Sequence, residues 1–187
     1  MKAAMKRADW QTRSGVHPGA ASGEVVKDRG ISYIRYNNAK TCVAAVAEVE
    51  VNRKTGAVRV TRVCMGHDCG QIINPDGLAH QIEGGVIQTV SRTLLEHVEW
   101  DRTKVTSVDW ATYPIRRFPD ARRAEVDMIN ILGEVSWGAG EPTATTISAT
   151  ITNAICDATG ARIRSVPFTP EKVLAALKAS GGRGANA

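Results

Sequence analysis

Residues able to do chemistry gather in two stretches of this sequence. The first contains Asp68-Cys69-Gly70, Asn74-Pro75 and Gln81-Ile82-Glu83-Gly84-Gly85; the second is Gly138-Ala139-Gly140-Glu141-Pro142, running into Thr143, Thr145 and Thr146. Small residues in the second stretch let a ligand approach the backbone, and the free amides of a helix start attract anions. Glu141 stands at that junction, between a flexible residue and a rigid one. Its carboxylate has two readings: an N-terminal cap and partner of the helix dipole, or a base facing a pocket. Gln81 also has two. Its amide can read a polar heterocycle that nears the Gly84-Gly85 notch, or it can bond a neighbouring loop. The glycines lack the full spacing of a dinucleotide fingerprint and the Lys-Ser/Thr ending of a phosphate loop.

Cys64, His67 and Cys69 resemble a ligand set, but structural zinc needs two close pairs and no second pair follows. Buried, reduced thiols are the expectation there. Cys42 and Cys156 lie in apolar stretches and read as small hydrophobes. His67 is expected to satisfy a local hydrogen bond, and His80 and His97 to lie at the surface. No Ser-His-Asp or Cys-His arrangement is legible.

The elements that must position these groups follow from periodicity. Residues 1–10 read as the end of a helix, Gln11 to Arg29 as a linker, and regular structure as starting at Gly30 with a strand through Tyr36. Thr41 to Asn52 and Ala57 to Cys64 alternate around a Gly56 turn, which predicts an antiparallel hairpin with one face on a core and the other wet. From Asp76 to Glu96, Leu78, Ile82, Val86, Val90 and Leu94 recur every fourth residue and predict a long helix. Glycines in its middle suggest that something packs close to the backbone. A short hairpin near Asp101-Arg102 and a strand over Glu125 to Ile131 come next. Pro142 to Ala158, closed by Gly160, predicts a second long helix. A terminal helix is expected from Thr169 to Leu177. The boundaries are therefore 1–29 for helix end and linker, 30–178 for the folded domain and 179–187 for a disordered tail. The class is α+β, antiparallel hairpins packed with two longer helices.

At 187 residues, with 43% hydrophobic and 23% charged, the chain has the composition of a globular domain and not of a disordered or fibrous one. No apolar run reaches the roughly 18–20 residues of a membrane helix. The net charge of +5 falls largely in the doublets Lys6-Arg7, Arg116-Arg117 and Arg122-Arg123, the last two near Asp120, Glu125 and Asp127. With 5% aromatics and no basic helix, a solvated surface is the reading and nucleic acid is not an expected partner.

The two chemistry-bearing stretches carry a resemblance. DCGQIINPDGLAHQIEGG resembles the D-x-G-x-x-x-N-P…Q-x-E-G segment of the molybdenum hydroxylases, the xanthine dehydrogenase and aldehyde oxidase family. GAGEP with ISATITNAICDATGARIRSVPFTPEKVLAAL is similar to the C-terminal end of that family's large molybdopterin-binding subunit, in wording nearest the isoquinoline 1-oxidoreductase type. The likeness runs from about Gly30 to Leu177. It implies a molybdopterin-type molybdenum cofactor, in a dinucleotide form. Glu141 would be the active-site base on a molybdenum-bound hydroxyl, and Gln81 would contact the pterin. Gly138, Ala139 and Gly140 would let the loop lie close to the molybdenum centre. The implied substrate is an N-heterocycle or aldehyde, attacked by the activated oxygen as hydride passes to a sulfido ligand. Electrons would leave through iron–sulfur clusters on a partner subunit, or through a cytochrome, since no cysteine set here suits a cluster. An N-terminal portion of the large subunit would supply the rest of the site, and any export signal would lie upstream. The alternative is a catalytically inactive fragment that serves only as a protein-binding partner.

Overall fold

The computed structural model describes residues 1–12, 23–121 and 124–181. Its elements in chain order are α1 (Lys2–Arg7), β1 (Val25–Arg35), β2 (Cys42–Asn52), β3 (Val58–Asp68), α2 (Pro75–Leu94), β4 (Glu125–Ile129), α3 (Gly140–Thr159) and α4 (Pro170–Gly181). The strands form one sheet in the order β1-β2-β3-β4, antiparallel except for β4, which runs parallel to β3 after the α2 crossover. The class is α+β, as the patterning implies, with a mixed sheet.

Alternation along β2 decides which helix packs where. Val43, Ala45, Ala47, Val49 and Val51 face the main core with Val60, Val63 and Met65 of β3, beneath α2 and α3. The stripe from α2 enters that core as Ile82, Val86, Val90 and Leu94; α3 contributes Ile147, Ile151, Ala154 and Ile155. Each of these valine, leucine and isoleucine side chains contributes roughly 1.5–3 kcal/mol when fully buried. α3 lies against β1 so closely that a Cβ on Gly30 would stand 2.2 Å from the Thr150 carbonyl oxygen and 2.3 Å from the Ala154 nitrogen. Ser32 Oγ donates to the Thr146 carbonyl at 2.9 Å, and Asn153 Nδ2 to that of Ile31 at 2.9 Å. These bonds fix the rotation of α3 about its axis, and with it the direction in which its first turn projects.

Several boundaries differ from the sequence expectation. Regular structure begins at Val25, not Gly30, because the charged run Lys27-Asp28-Arg29 is carried on an outer strand in register with Glu48 to Glu50. Residues 13–22 of the expected linker lie outside the described residues. The second face of the hairpin is not wholly wet. α1 covers Ala44, Val46 and Cys64 with Ala4 and Ala8, and only the far end stays polar, where Glu48 and Glu50 pair with Arg62 and Lys27. α4 continues to Gly181, past Leu177 and into the segment expected to be disordered; residues 182–187 are not described, nor is the doublet at 122–123. Near Asp101 the short hairpin forms as a single Trp100–Val105 bridge.

Candidate active site

Helices α2 and α3, 20 residues each, face one another across a cleft of about 910 Å³. The α2 wall presents Gln81, Gly84, Gly85, Gln88 and Arg92; the α3 wall presents Gly140, Glu141, Thr145 and Ser148, and Tyr36 closes one side. The two chemistry-bearing stretches of the sequence therefore meet. Their convergence has a visible cause in the loop before α3, which is stitched along the loop after β3. Trp137 N donates to the Cys69 carbonyl at 2.8 Å, Ser136 Oγ to that of Gln71 at 2.7 Å, and Ile72 N to Asn130 Oδ1 at 2.9 Å. Gly70 is required in this seam: it has φ +79°, and a Cβ would stand 2.1 Å from the Val135 carbonyl oxygen.

Glu141 lies in the first turn of α3, exposed to the cleft. The N-cap position, Ala139, makes no side-chain capping bond. The Glu141 carboxylate accepts instead from the Tyr36 hydroxyl, at 2.5 Å to Oε2. That bond favours the neutral phenol, and the adjacent carboxylate holds Tyr36 above the usual tyrosine range. Tyr36 was legible in the sequence only as a strand residue; its partner is 105 positions away. The Asn37-Asn38 pair after it, with φ 50° and 58°, marks the turn that aims it.

Gln81 and Gly140 are in close apposition. A Cβ on Gly140 would stand 2.5 Å from Gln81 Nε2, so only glycine leaves the amide where it is. Gly85 faces Thr143 of α3, whose Cγ2 would lie 3.1 Å from an added Cβ; Gly84 faces open space. The notch thus serves two ends, helix contact at Gly85 and access at Gly84. Gly138 and Ala139 do not line the cleft. Gly138 works through its carbonyl, which accepts from the buried Thr41 hydroxyl at 2.8 Å.

His67 corrects an expectation. It is fully buried, yet neither ring nitrogen has a hydrogen-bond partner. The Ala139 backbone lies near enough to oppose the effect weakly, but burial dominates and holds the imidazole below its usual range. Cys64 and Cys69 are buried thiols; burial pushes Cys64 up to about 11, so it stays protonated at neutral pH. Cys156 is buried as read, whereas Cys42 is only half-buried and accepts from Tyr33 Oη at 3.3 Å. Among the described residues no cluster of three His, Cys, Asp or Glu could hold a metal ion, and no helix is long and apolar enough to cross a membrane. His80 and His97 are exposed.

The chain matches the family of molybdopterin cofactor-binding domains over residues 3–122. It belongs to that family. A nicotinate dehydrogenase subunit of Pseudomonas putida is 43% identical across 98% of this chain, and the beta subunit of isoquinoline 1-oxidoreductase from Brevundimonas diminuta is 32% identical across 93%. The fold superposes on quinoline 2-oxidoreductase from Pseudomonas putida with TM-score 0.67 over 74% of the chain at 28% identity. For aldehyde oxidoreductase from Desulfovibrio desulfuricans the values are 0.65, 73% and 30%. This molybdopterin-binding segment spans 16% and 21% of the two curated relatives, and 19% and 15% of the two solved chains. Gln81 falls inside the stretch matched by the family; Glu141 lies beyond its end.

The cleft suits such a cofactor on its own chemistry. The Gln81 and Gln88 amides offer donors and acceptors matched to a pterin's polar edge. Arg92 supplies a cation for a phosphate. Gly84 leaves its stretch of wall open, with nothing within 4 Å of an added Cβ.

Proposed function

We propose that this chain is the cofactor-holding, C-terminal part of a molybdenum-dependent hydroxylase and that Glu141 is its catalytic base. The observation that carries the reading is the meeting of Glu141 and Gln81 on facing walls of one cleft, with Gly140 beneath the Gln81 amide. When bound, a molybdopterin-type cofactor would supply the redox chemistry, taking the two electrons of the broken C–H bond, whose hydrogen would leave as a proton, while an electron-poor carbon of an N-heterocycle or aldehyde gains an oxygen derived from water. Glu141 takes up the proton released from that oxygen at its carboxylate. With Oε2 engaged by Tyr36, Oε1 is the atom that receives it. Gln81 orients the pterin through its amide, and Gly140 keeps that amide in place. The folded domain, expected over 30–178, is proposed to run from Val25, where β1 begins, to Gly181, where α4 ends.

The dinucleotide form of the cofactor, iron–sulfur clusters or a cytochrome on a partner subunit, and a small-molecule substrate belong to the same proposal. Relatives that are themselves named as subunits support a multi-subunit assembly. Apolar side chains left in solvent, Phe118 at 94% and Leu132 at 79% exposure, support coverage by further protein. In the complete enzyme, Glu141→Gln is expected to lower turnover by about 10²–10⁴-fold while molybdenum and pterin content stay unchanged. Near-normal turnover with the cofactor retained overturns the assignment of the base.

A further inference from the structure

We infer that Tyr36 is a positioning residue for Glu141, its hydroxyl holding the carboxylate in one orientation with Oε1 presented for proton transfer. This rests on the reading of Glu141 as base. Three observations carry it. Glu141 projects from an exposed first turn with several rotatable bonds and makes a 2.5 Å bond to the Tyr36 hydroxyl, a contact that selects one rotamer from many. The ring that supplies the bond is itself anchored by its backbone. Tyr36 N donates to the Thr41 carbonyl at 2.8 Å, and Lys40 N donates back to the Tyr36 carbonyl at 2.9 Å, closing the turn around the left-handed Asn37 and Asn38. The same turn is then tied to the loop before α3 by Thr41 Oγ1 donating to the Gly138 carbonyl. Donor and acceptor are thus each fixed to one rigid unit, and their relative placement is a property of the fold.

The chemistry of the donor matters as well. A phenol is neutral at working pH and orients the carboxylate without cancelling its charge, whereas a guanidinium in its place would oppose proton uptake. The other titratable groups that share the cleft are His80 and Arg92, both on α2. Glu141 is the charge that acts on the Tyr36 phenol.

Two measurements test the inference. In the 187-residue chain labelled with ¹³Cζ-tyrosine, three ring signals are expected, and the one lost in Tyr36→Phe identifies Tyr36. Its ionisation midpoint should fall toward the ordinary tyrosine range in Glu141→Gln, because the hydrogen bond to a carboxylate and the adjacent negative charge are gone. An unmoved midpoint overturns the contact. In the complete enzyme, Tyr36→Phe should lower kcat by about 10- to 100-fold, the scale of a misoriented catalytic group, with KM and molybdenum content unchanged. Unaltered kcat in Tyr36→Phe, together with the expected loss in Glu141→Gln, overturns positioning and leaves the base standing. Full turnover in Glu141→Gln removes both.

Discussion

Helices α2 and α3 have the same length and share a cleft, but they begin in opposite ways. α2 starts with a complete set of stop-and-start chemistry: Asn74 in an extended conformation accepts from Gly77 N at 2.9 Å, Pro75 takes the first helical position, and Asp76 sits in the first turn. α3 starts at Ala139, with φ −113° and ψ −26° and no side-chain cap, and then places Gly140 and Glu141 in the turn. In α2 the polar groups at the start are used up in making the helix. In α3 they are left for something else, and the end is held from outside by Thr41, by the loop seam and by the β1 contacts. A helix end anchored by tertiary bonds does not need a cap, and its carboxylate can face a ligand.

The widest break in that contrast comes from the docking of α3. Gly30→Ala sets a Cβ against three backbone atoms of α3 that cannot swing aside. A loss of about 2–3 kcal/mol is expected, as for an overpacked core, read from urea unfolding. An unchanged midpoint means that α3 is not anchored by β1. Next is His67, buried behind the Ala139 backbone. The unfolded chain takes up a proton as pH falls through about 6.5 while the folded imidazole, held lower, does not, so stability present above that pH is lost on acidification below it. The slope is at most about 1.4 kcal/mol per pH unit, and His67→Leu should remove that component as pH falls below about 6.5. Equal slopes in the two proteins reject it.

The capping contrast itself is smaller. Asn74→Ala should cost about 1 kcal/mol of stability. Ala139→Ser should gain less than about 0.5 kcal/mol, because the backbone there is not in the extended conformation a cap requires. A gain equal to the Asn74 loss would show that α3 is an ordinary helix end awaiting a cap. Smallest in stability, but not in function, is Gly140→Ala. It meets only the far end of the Gln81 side chain, so unfolding should move little while the amide is displaced and cofactor retention falls in the complete enzyme. Full retention would exclude Gln81 as a contact.

What could be read in advance was local. Stripes such as Ile82-Val86-Val90-Leu94, the alternation of β2 and β3, and Gly160 (φ 76°) closing α3 are all set by neighbours within a few residues. The small residues around Glu141 and Gln81 mark close approach but leave each with two readings; the roles of base and pterin contact come from the family resemblance alone. Tyr36 and the orphaned imidazole of His67 were not legible as such, since each is defined by a group on a distant element. The start of β1 at Val25 was hidden for a related reason: its charged residues are tolerated by pairing with Glu50 across the sheet, as Lys27 does at 2.7 Å.

Periodicity, turn chemistry and motif content in the chain alone determined the elements and named the two stretches that could react. Only the folded arrangement decided that those stretches face each other, which helix start is left uncapped, and which hydroxyl reaches the carboxylate. Short-range order is written in adjacent residues; a hydrogen bond spanning 105 positions exists only once the sheet and the loop seam have brought its two ends together.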